Sequence, residues 1–181
     1  MNITFKAVRF KNLLSYGNTF TEINLEEYPT TLISGKNGCG KSTMLEAIVF
    51  GLYGRPYRKI NKPQLVNSIN KKELLIELEF SIEKKDYMIR RGIAPNIFEV
   101  YEDGELVDQN ARSDDYQAHL EKNILRMKLK TFTQIVILGS AMFVPFMELP
   151  LGGRREIIED LLDIQIFSKM LNLSKNKTNE L

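Results

Sequence analysis

Only one cysteine and one histidine occur among the 181 residues. The single thiol, Cys39, excludes an internal disulfide and suits a reducing cytoplasm. Its position in a tight glycine-rich loop reads as a small residue that fits there, ahead of an oxidation target. His119 has no companions at the spacing of a metal or nucleophile site and reads as a partly exposed helix residue. No apolar run approaches the length of a membrane span, and Met1-Asn2-Ile3-Thr4-Phe5-Lys6 lacks the form of a signal peptide. An excess of one charge is also missing. The net charge is +2, so global electrostatics neither demand nor exclude a polyanionic partner. There is no internal repeat and no low-complexity tract. With 43% hydrophobic and 27% charged residues, the rest is ordinary for a soluble globular chain long enough for a proper core.

Against this background one stretch stands out. Gly35-Lys36-Asn37-Gly38-Cys39-Gly40-Lys41-Ser42-Thr43 fits the P-loop pattern G-x-x-x-x-G-K-[ST] without mismatch. Glycines let the backbone wrap a phosphate chain with successive N–H groups pointing inward as donors. In that role Lys41 reaches the β- and γ-phosphates, and the Ser42 hydroxyl takes one Mg²⁺ position. The pattern carries weight when a strand precedes it and a helix follows. Thr30-Thr31-Leu32-Ile33-Ser34 reads as a short buried strand. Ser42 to Tyr53 reads as a helix, with Leu45, Ile48, Val49 and Leu52 at helical spacing and Gly54 as its stop. Such a helix points its positive end at the phosphates.

Elsewhere the chain alternates between strand and helix signals. Asn2 to Phe10 and Phe20 to Leu25 read as strands, forming an opening β layer with the run before the P-loop. Gly54-Arg55-Pro56-Tyr57-Arg58-Lys59 is a basic loop, read chiefly as solvated charge. Leu74 to Ile82 alternates as a long half-buried strand. Lys84-Lys85-Asp86 makes a turn, and Tyr87–Arg91 and Asn96–Tyr101 follow as strands. Asp103-Gly104 is a strong hairpin signal, with Glu105–Val107 as the return arm. Connections this short require an antiparallel sheet. From Arg112 the pattern turns helical, capped by Ser113 or Asp114 and running to about Asn123. Thr131 to Leu138 fits either a strand or a buried helix end. Gly152-Gly153 precedes a helix, and a further helix begins near Gln165. Its lack of a closing cap reads as a cut within a longer helix.

A working NTPase also needs an acidic residue at the end of a second buried strand. Glu77 sits in a one-sided alternating strand. Glu159 and Asp160 sit on a helix, facing water by periodicity. Neither place reads as the Mg²⁺ acid.

The P-loop variant with Asn before its middle glycine resembles the SbcC/SMC-like branch of ABC-type ATPases. Val8-Arg9-Phe10-Lys11-Asn12-Leu13-Leu14-Ser15-Tyr16 is similar to that family's first strand and "KNF.S" turn. Leu45-Glu46-Ala47-Ile48-Val49-Phe50-Gly51-Leu52-Tyr53-Gly54 resembles its P-loop helix. Phe132 to Leu138, followed by Phe143 and Phe146-Met147, resembles its segment into the Q-loop, and Arg154 to Ile164 resembles the helix leading into its coiled coil. The nearest likeness is to ATPase subunits of bacteriophage recombination endonucleases.

The resemblance implies an α/β fold: a P-loop NTPase, the N-terminal lobe of an ABC-type head, with an antiparallel β subdomain and the start of a coiled-coil helix. It implies a lobe over 1–164, with the P-loop at 35–43, the β insert at about 73–107 and the Q-loop-like region at about 138–147. The coiled-coil helix then starts over 165–181. ATP and Mg²⁺ are the implied cofactors. The implied partners are an SbcD-like nuclease, double-stranded DNA ends and a second head engaged across ATP, with no membrane; the implied location is cytoplasmic, which is the host cytoplasm if the chain is phage-encoded. Ser140 falls where the family carries its metal-sensing glutamine; Gln134 sits six residues too early and reads as structural. Leu14 replaces a basic residue often found in the family's turn. The alternative is a nuclease-independent clamp or loader of the SMC or RecF kind. A small P-loop kinase fits poorly, given the antiparallel insert and the absence of an arginine-rich lid.

Overall fold

The computed structural model describes residues 3–107, 113–138, 144–162 and 164–179. The chain forms two compact units, Met1–Tyr116 and Gln117–Leu181. The first is built on an antiparallel sheet of β1 (Ile3–Lys11), β2 (Thr21–Asn24), β3 (Leu74–Ile82), β4 (Lys85–Ile93), β5 (Ile97–Glu102) and β6 (Glu105–Leu106). Their spatial order is β2-β1-β3-β4-β5-β6. The alternation from Leu74 to Ile82 is realised as one buried and one wetter face. Val8, Leu78, Ile89 and Val100 lie opposite one another across four strands, each fully buried. On the other face Glu22, Arg9, Glu77, Arg90 and Glu99 form a directly opposed row of alternating charge. Arg9 pairs with Glu22 at 3.3 Å and Glu77 at 3.2 Å, and Arg90 with Glu77 at 3.3 Å and Glu99 at 3.4 Å. Glu77 is thus committed to a charge row on the sheet. Asp103 (φ 50°) and Gly104 (φ 84°) both adopt positive φ, the geometry a two-residue hairpin turn requires.

Helix α1 (Thr43–Tyr53) packs on the apolar face against β1, β3 and β4. Ala47, Ile48, Val49, Phe50, Leu52 and Tyr53 are all buried there. Gly54 ends the helix as expected, with a left-handed φ of 63° and its N–H donating to the Phe50 carbonyl.

The run Thr30–Ser34 departs from its expected form. It forms no strand, and Leu32 is 90% exposed. A buried strand needs a neighbouring strand and a covering layer, and among the described residues no strand pairs with this run. The opening β layer therefore consists of β1 and β2 alone, with β3 on the far side of β1.

The second unit is helical. Helix α2 (Ser113–His119), whose residues up to Tyr116 belong to the first unit, runs into a wide π-helical turn, Leu120–Ile124, closed by Leu125 N–H donating to the Leu120 carbonyl at 2.8 Å. His119 is exposed, with its Nδ1 2.7 Å from Asn123 Nδ2. Of the ambiguous run Thr131 to Leu138, the part up to Ile135 lies in helix α3 (Leu129–Ile135), with Phe132 buried, and Val136 to Leu138 follow the helix. Helix α4 (Leu151–Leu161) takes Gly152 and Gly153 into its first turn rather than following them. Asp160 does not face water: it is buried and accepts the Lys128 backbone N–H at 2.9 Å, satisfying a free donor at the start of α3. Glu159 pairs with Arg155 at 2.6 Å. Helix α5 (Gln165–Asn179) carries Ile166, Phe167, Met170, Leu171 and Leu173 in exposed positions.

Candidate functional site

The loop from Gly35 to Thr43 follows the conformational demands of its glycines. Gly35, Gly38 and Gly40 have φ of 154°, 86° and 96°, a region that side chains with a Cβ rarely occupy. Gly40 is also confined from outside. A Cβ there would stand 2.6 Å from the Tyr16 ring, so the loop can pass this point only as bare backbone. Tyr16 is fixed in turn by edge-on packing against Phe10 of β1, with centroids 4.9 Å apart.

Within the loop, Lys41 Nζ donates to the carbonyls of Gly35 at 2.5 Å and Lys36 at 2.9 Å. The ammonium is thereby held at the mouth of the loop with further donor capacity for an anion. Ser42 is the N-cap residue of α1, yet its side chain makes no cap bond to its own helix. Its hydroxyl is available to a ligand at the positive end of the helix. Cys39 is exposed.

Asn37, Gly38, Gly40, Lys41, Ser42 and Thr43 line a cavity of about 400 Å³ together with Leu14, Ser15 and Arg58. The size suits a polyphosphate with part of a nucleoside. The glycine cradle, the oriented ammonium and the free hydroxyl at a helix N-terminus fit a nucleotide phosphate chain and its cation. Ser140 lies outside the described residues. Gln134, on α3, is half-buried. No helix among the described residues is long and apolar enough to cross a membrane.

Arg58 was legible only as one of several cations in a basic loop. What selects it is Glu46, which lies on the buried side of α1 and is 0% exposed. Glu46 accepts the backbone N–H groups of Tyr57 at 2.6 Å and Arg58 at 3.3 Å, and its carboxylate lies 3.6 Å from Arg58 Nε. Burial pushes the Glu46 carboxyl above the usual carboxylate range, against the two N–H groups and the guanidinium that pull it down. The loop after α1 is thus fastened to the helix that begins at the P-loop. An acid three, four and seven residues before Val49, Phe50 and Tyr53, on the apolar stripe, was the available sequence signal.

A family model for an AAA domain matches residues 7–181. The chain belongs to that family, AAA_23. Among its relatives is exonuclease subunit 2 of Escherichia phage RB69, 47% identical over 96% of this chain and 31% of the phage protein. The SbcC component of the nuclease SbcCD from Clostridium acetobutylicum is 29% identical over 91% of this chain and 15% of that protein. The chain therefore spans about a third or less of the relatives it matches. Its fold is that of the SMC-like ABC ATPase head. An Smc head domain with an extended coiled coil, derived from Pyrococcus furiosus, superposes with a TM-score of 0.58 at 18% identity, covering 99% of this chain and 46% of that one.

Proposed function

We propose that this chain is the nucleotide-binding N-terminal lobe of the ATPase head in an SbcC-SbcD-like recombination and repair endonuclease. The observation that carries the reading is the cavity at the start of α1. Glycine backbone, the Lys41 ammonium and the Ser42 hydroxyl converge there on a volume suited to a triphosphate. Gly35 to Thr43 bind ATP, and Lys41 stabilises charge on the β- and γ-phosphates. Bound Mg²⁺, held by Ser42 and in one reading by Ser140, supplies charge neutralisation on the phosphates.

The domain reading is a lobe over 1–164 followed by a coiled-coil helix. The exposed apolar residues of α5 and the unpaired run at Thr30–Ser34 support it, since both are surfaces of the kind a further part of the protein would cover. ATP-driven engagement of two heads then gates an SbcD-like nuclease on double-stranded DNA ends in the host cytoplasm. The relatives named as part of an exonuclease and as part of the nuclease SbcCD support this reading. The likeness to an Smc head supports the alternative, a clamp or loader ATPase that works without a nuclease.

Affinity capture of the intact protein from its native host separates the two. Co-purification of an SbcD-like nuclease, with ATP-dependent degradation of linear duplex DNA, is expected. An ATPase that recovers no nuclease and leaves linear DNA whole rejects the first reading in favour of the second.

A further inference from the structure

Part of the cavity wall is the turn after β1, closed on itself by Asn12 N–H donating to the Gly17 carbonyl at 2.8 Å and Tyr16 N–H to the Leu13 carbonyl at 2.9 Å. Leu14 has a φ of 52°, a left-handed conformation disfavoured by its Cβ. Leu14 and Ser15 nevertheless line the cavity, and the next residue, Tyr16, presses against Gly40 of the P-loop. Residues far along the chain hold it further: Leu14 N–H donates to the Leu65 carbonyl at 2.7 Å, and Asn67 adds a side-chain clamp. Asn67 donates from Nδ2 to the carbonyls of Leu14 at 2.9 Å and Tyr16 at 3.1 Å. Its Oδ1 accepts the backbone N–H groups of Ile69 and Asn70, each at 2.9 Å. Its own backbone N–H donates to the Asn12 carbonyl at 2.8 Å. Both amide protons and both oxygen lone pairs are used, and the residue is buried.

We propose that Asn67 is a positioning residue for nucleotide binding. It clamps the Leu14–Tyr16 turn so that the cavity wall and the Tyr16 buttress stand at the correct distance from the P-loop. The inference rests on the nucleotide-binding reading above. Asn70 reinforces the clamp by donating from Nδ2 to Asn12 Oδ1 at 2.6 Å, and Asn12 Nδ2 donates to Asn18 Oδ1 at 3.0 Å. Only an amide serves at position 67. A carboxylate keeps the acceptor for Ile69 and Asn70 but turns lone pairs toward the two carbonyls. A serine keeps an acceptor for the local turn and cannot reach across.

The test measures ATP affinity of the intact protein by calorimetry, with steady-state ATPase kinetics, for wild type, Asn67→Asp and Asn67→Ser. Val100→Ala, a core substitution in β5, serves as a stability-matched control. Both Asn67 variants are expected to bind ATP about ten-fold more weakly or worse, with KM raised and kcat at saturating ATP largely retained. Val100→Ala is expected to keep the wild-type affinity at a comparable loss of Tm. If Asn67→Asp does not fold, Asn67→Ser carries the test alone. Wild-type affinity in a folded Asn67 variant overturns the positioning role, as does an equal loss in Val100→Ala, which would make the effect one of stability. Failure of the wild-type protein to bind ATP overturns the nucleotide reading itself.

Discussion

Arg91 of β4 donates from Nε to the Gly51 carbonyl of α1 at 2.9 Å, in the buried layer between helix and sheet. Its guanidinium lies 3.8 Å from the centre of the Phe98 ring and fills the space a side chain at position 54 would need. A cation at the C-terminal end of α1 also complements the helix dipole. The antiparallel sheet thus anchors the helix at the end away from the P-loop. Arg91→Ala is expected to cost about 2–4 kcal/mol in urea unfolding, through an unpaired carbonyl and a cavity. Arg91→Lys should recover only part of this, because an ammonium cannot stack as a planar guanidinium does. A wild-type midpoint for Arg91→Lys would contradict the stacking argument.

The contact between Tyr16 and Gly40 predicts a coupling. Gly40→Ala adds a methyl where 2.6 Å separates the Cβ position from the ring, and does so at a φ of 96°. ATP affinity should fall about ten-fold or more. Truncating Tyr16 to Ala in the same chain removes the collision but leaves the backbone strain, so recovery is partial. A double-mutant cycle should give a coupling of at least ~0.5 kcal/mol, and strict additivity would show that the ring does not confine the loop.

Lys41 can be removed without touching the core. Its ammonium bonds only loop carbonyls that are otherwise exposed, so Lys41→Ala should shift stability by no more than about 0.5 kcal/mol. Loss of charge-assisted bonds to phosphate should weaken ATP binding by about 1.5–3 kcal/mol. Calorimetric titration beside a thermal melt reads both quantities; an unchanged dissociation constant would remove Lys41 from the site.

Glu46 gives a pH dependence of defined sign. The folded chain holds its proton more tightly than the unfolded one, because burial raises the carboxyl above 4.5. Its contribution to stability is therefore most favourable below pH 4.5 and declines as pH rises through the folded value. Unfolding free energies measured from acid to neutral pH should fall more for wild type than for Glu46→Gln across that window. Parallel profiles would indicate that the carboxylate is already compensated by the Tyr57 and Arg58 N–H groups and the Arg58 guanidinium.

Strand β3 was legible because Leu74 to Ile82 alternates over its full length, and its successors because the turns between them are short. The first turn falls at Glu83-Lys84, one residue earlier than expected, so Lys85 and Asp86 already belong to β4. The P-loop was legible because its glycines and lysine answer to local geometry. What lay outside local geometry was missed. Whether Thr30–Ser34 is a strand depends on a neighbour that the run itself does not contain. Asp160 fits a solvent position by helical period, but the free N–H of Lys128 draws it inward. Asn67 carries no periodic or motif signal, since its role exists only once the 12–17 turn lies beside it. Arg58 was visible as charge, and only the burial of Glu46 distinguishes it from its basic neighbours.

The alternating row from Glu22 to Glu99 bears on how the protein meets a polyanion. Arg9 and Arg90 would count toward a basic footprint in any tally of cations, yet each is answered by two carboxylates within 3.4 Å. At separations beyond a Debye length of ~8 Å such a row presents almost no field. Already paired with carboxylates, Arg9 and Arg90 are poorly placed to neutralise phosphates and so to release the counterions condensed on a nucleic acid. With three carboxylates against two guanidiniums the row carries no net positive charge, and long-range attraction of a nucleic acid must come from cations outside it.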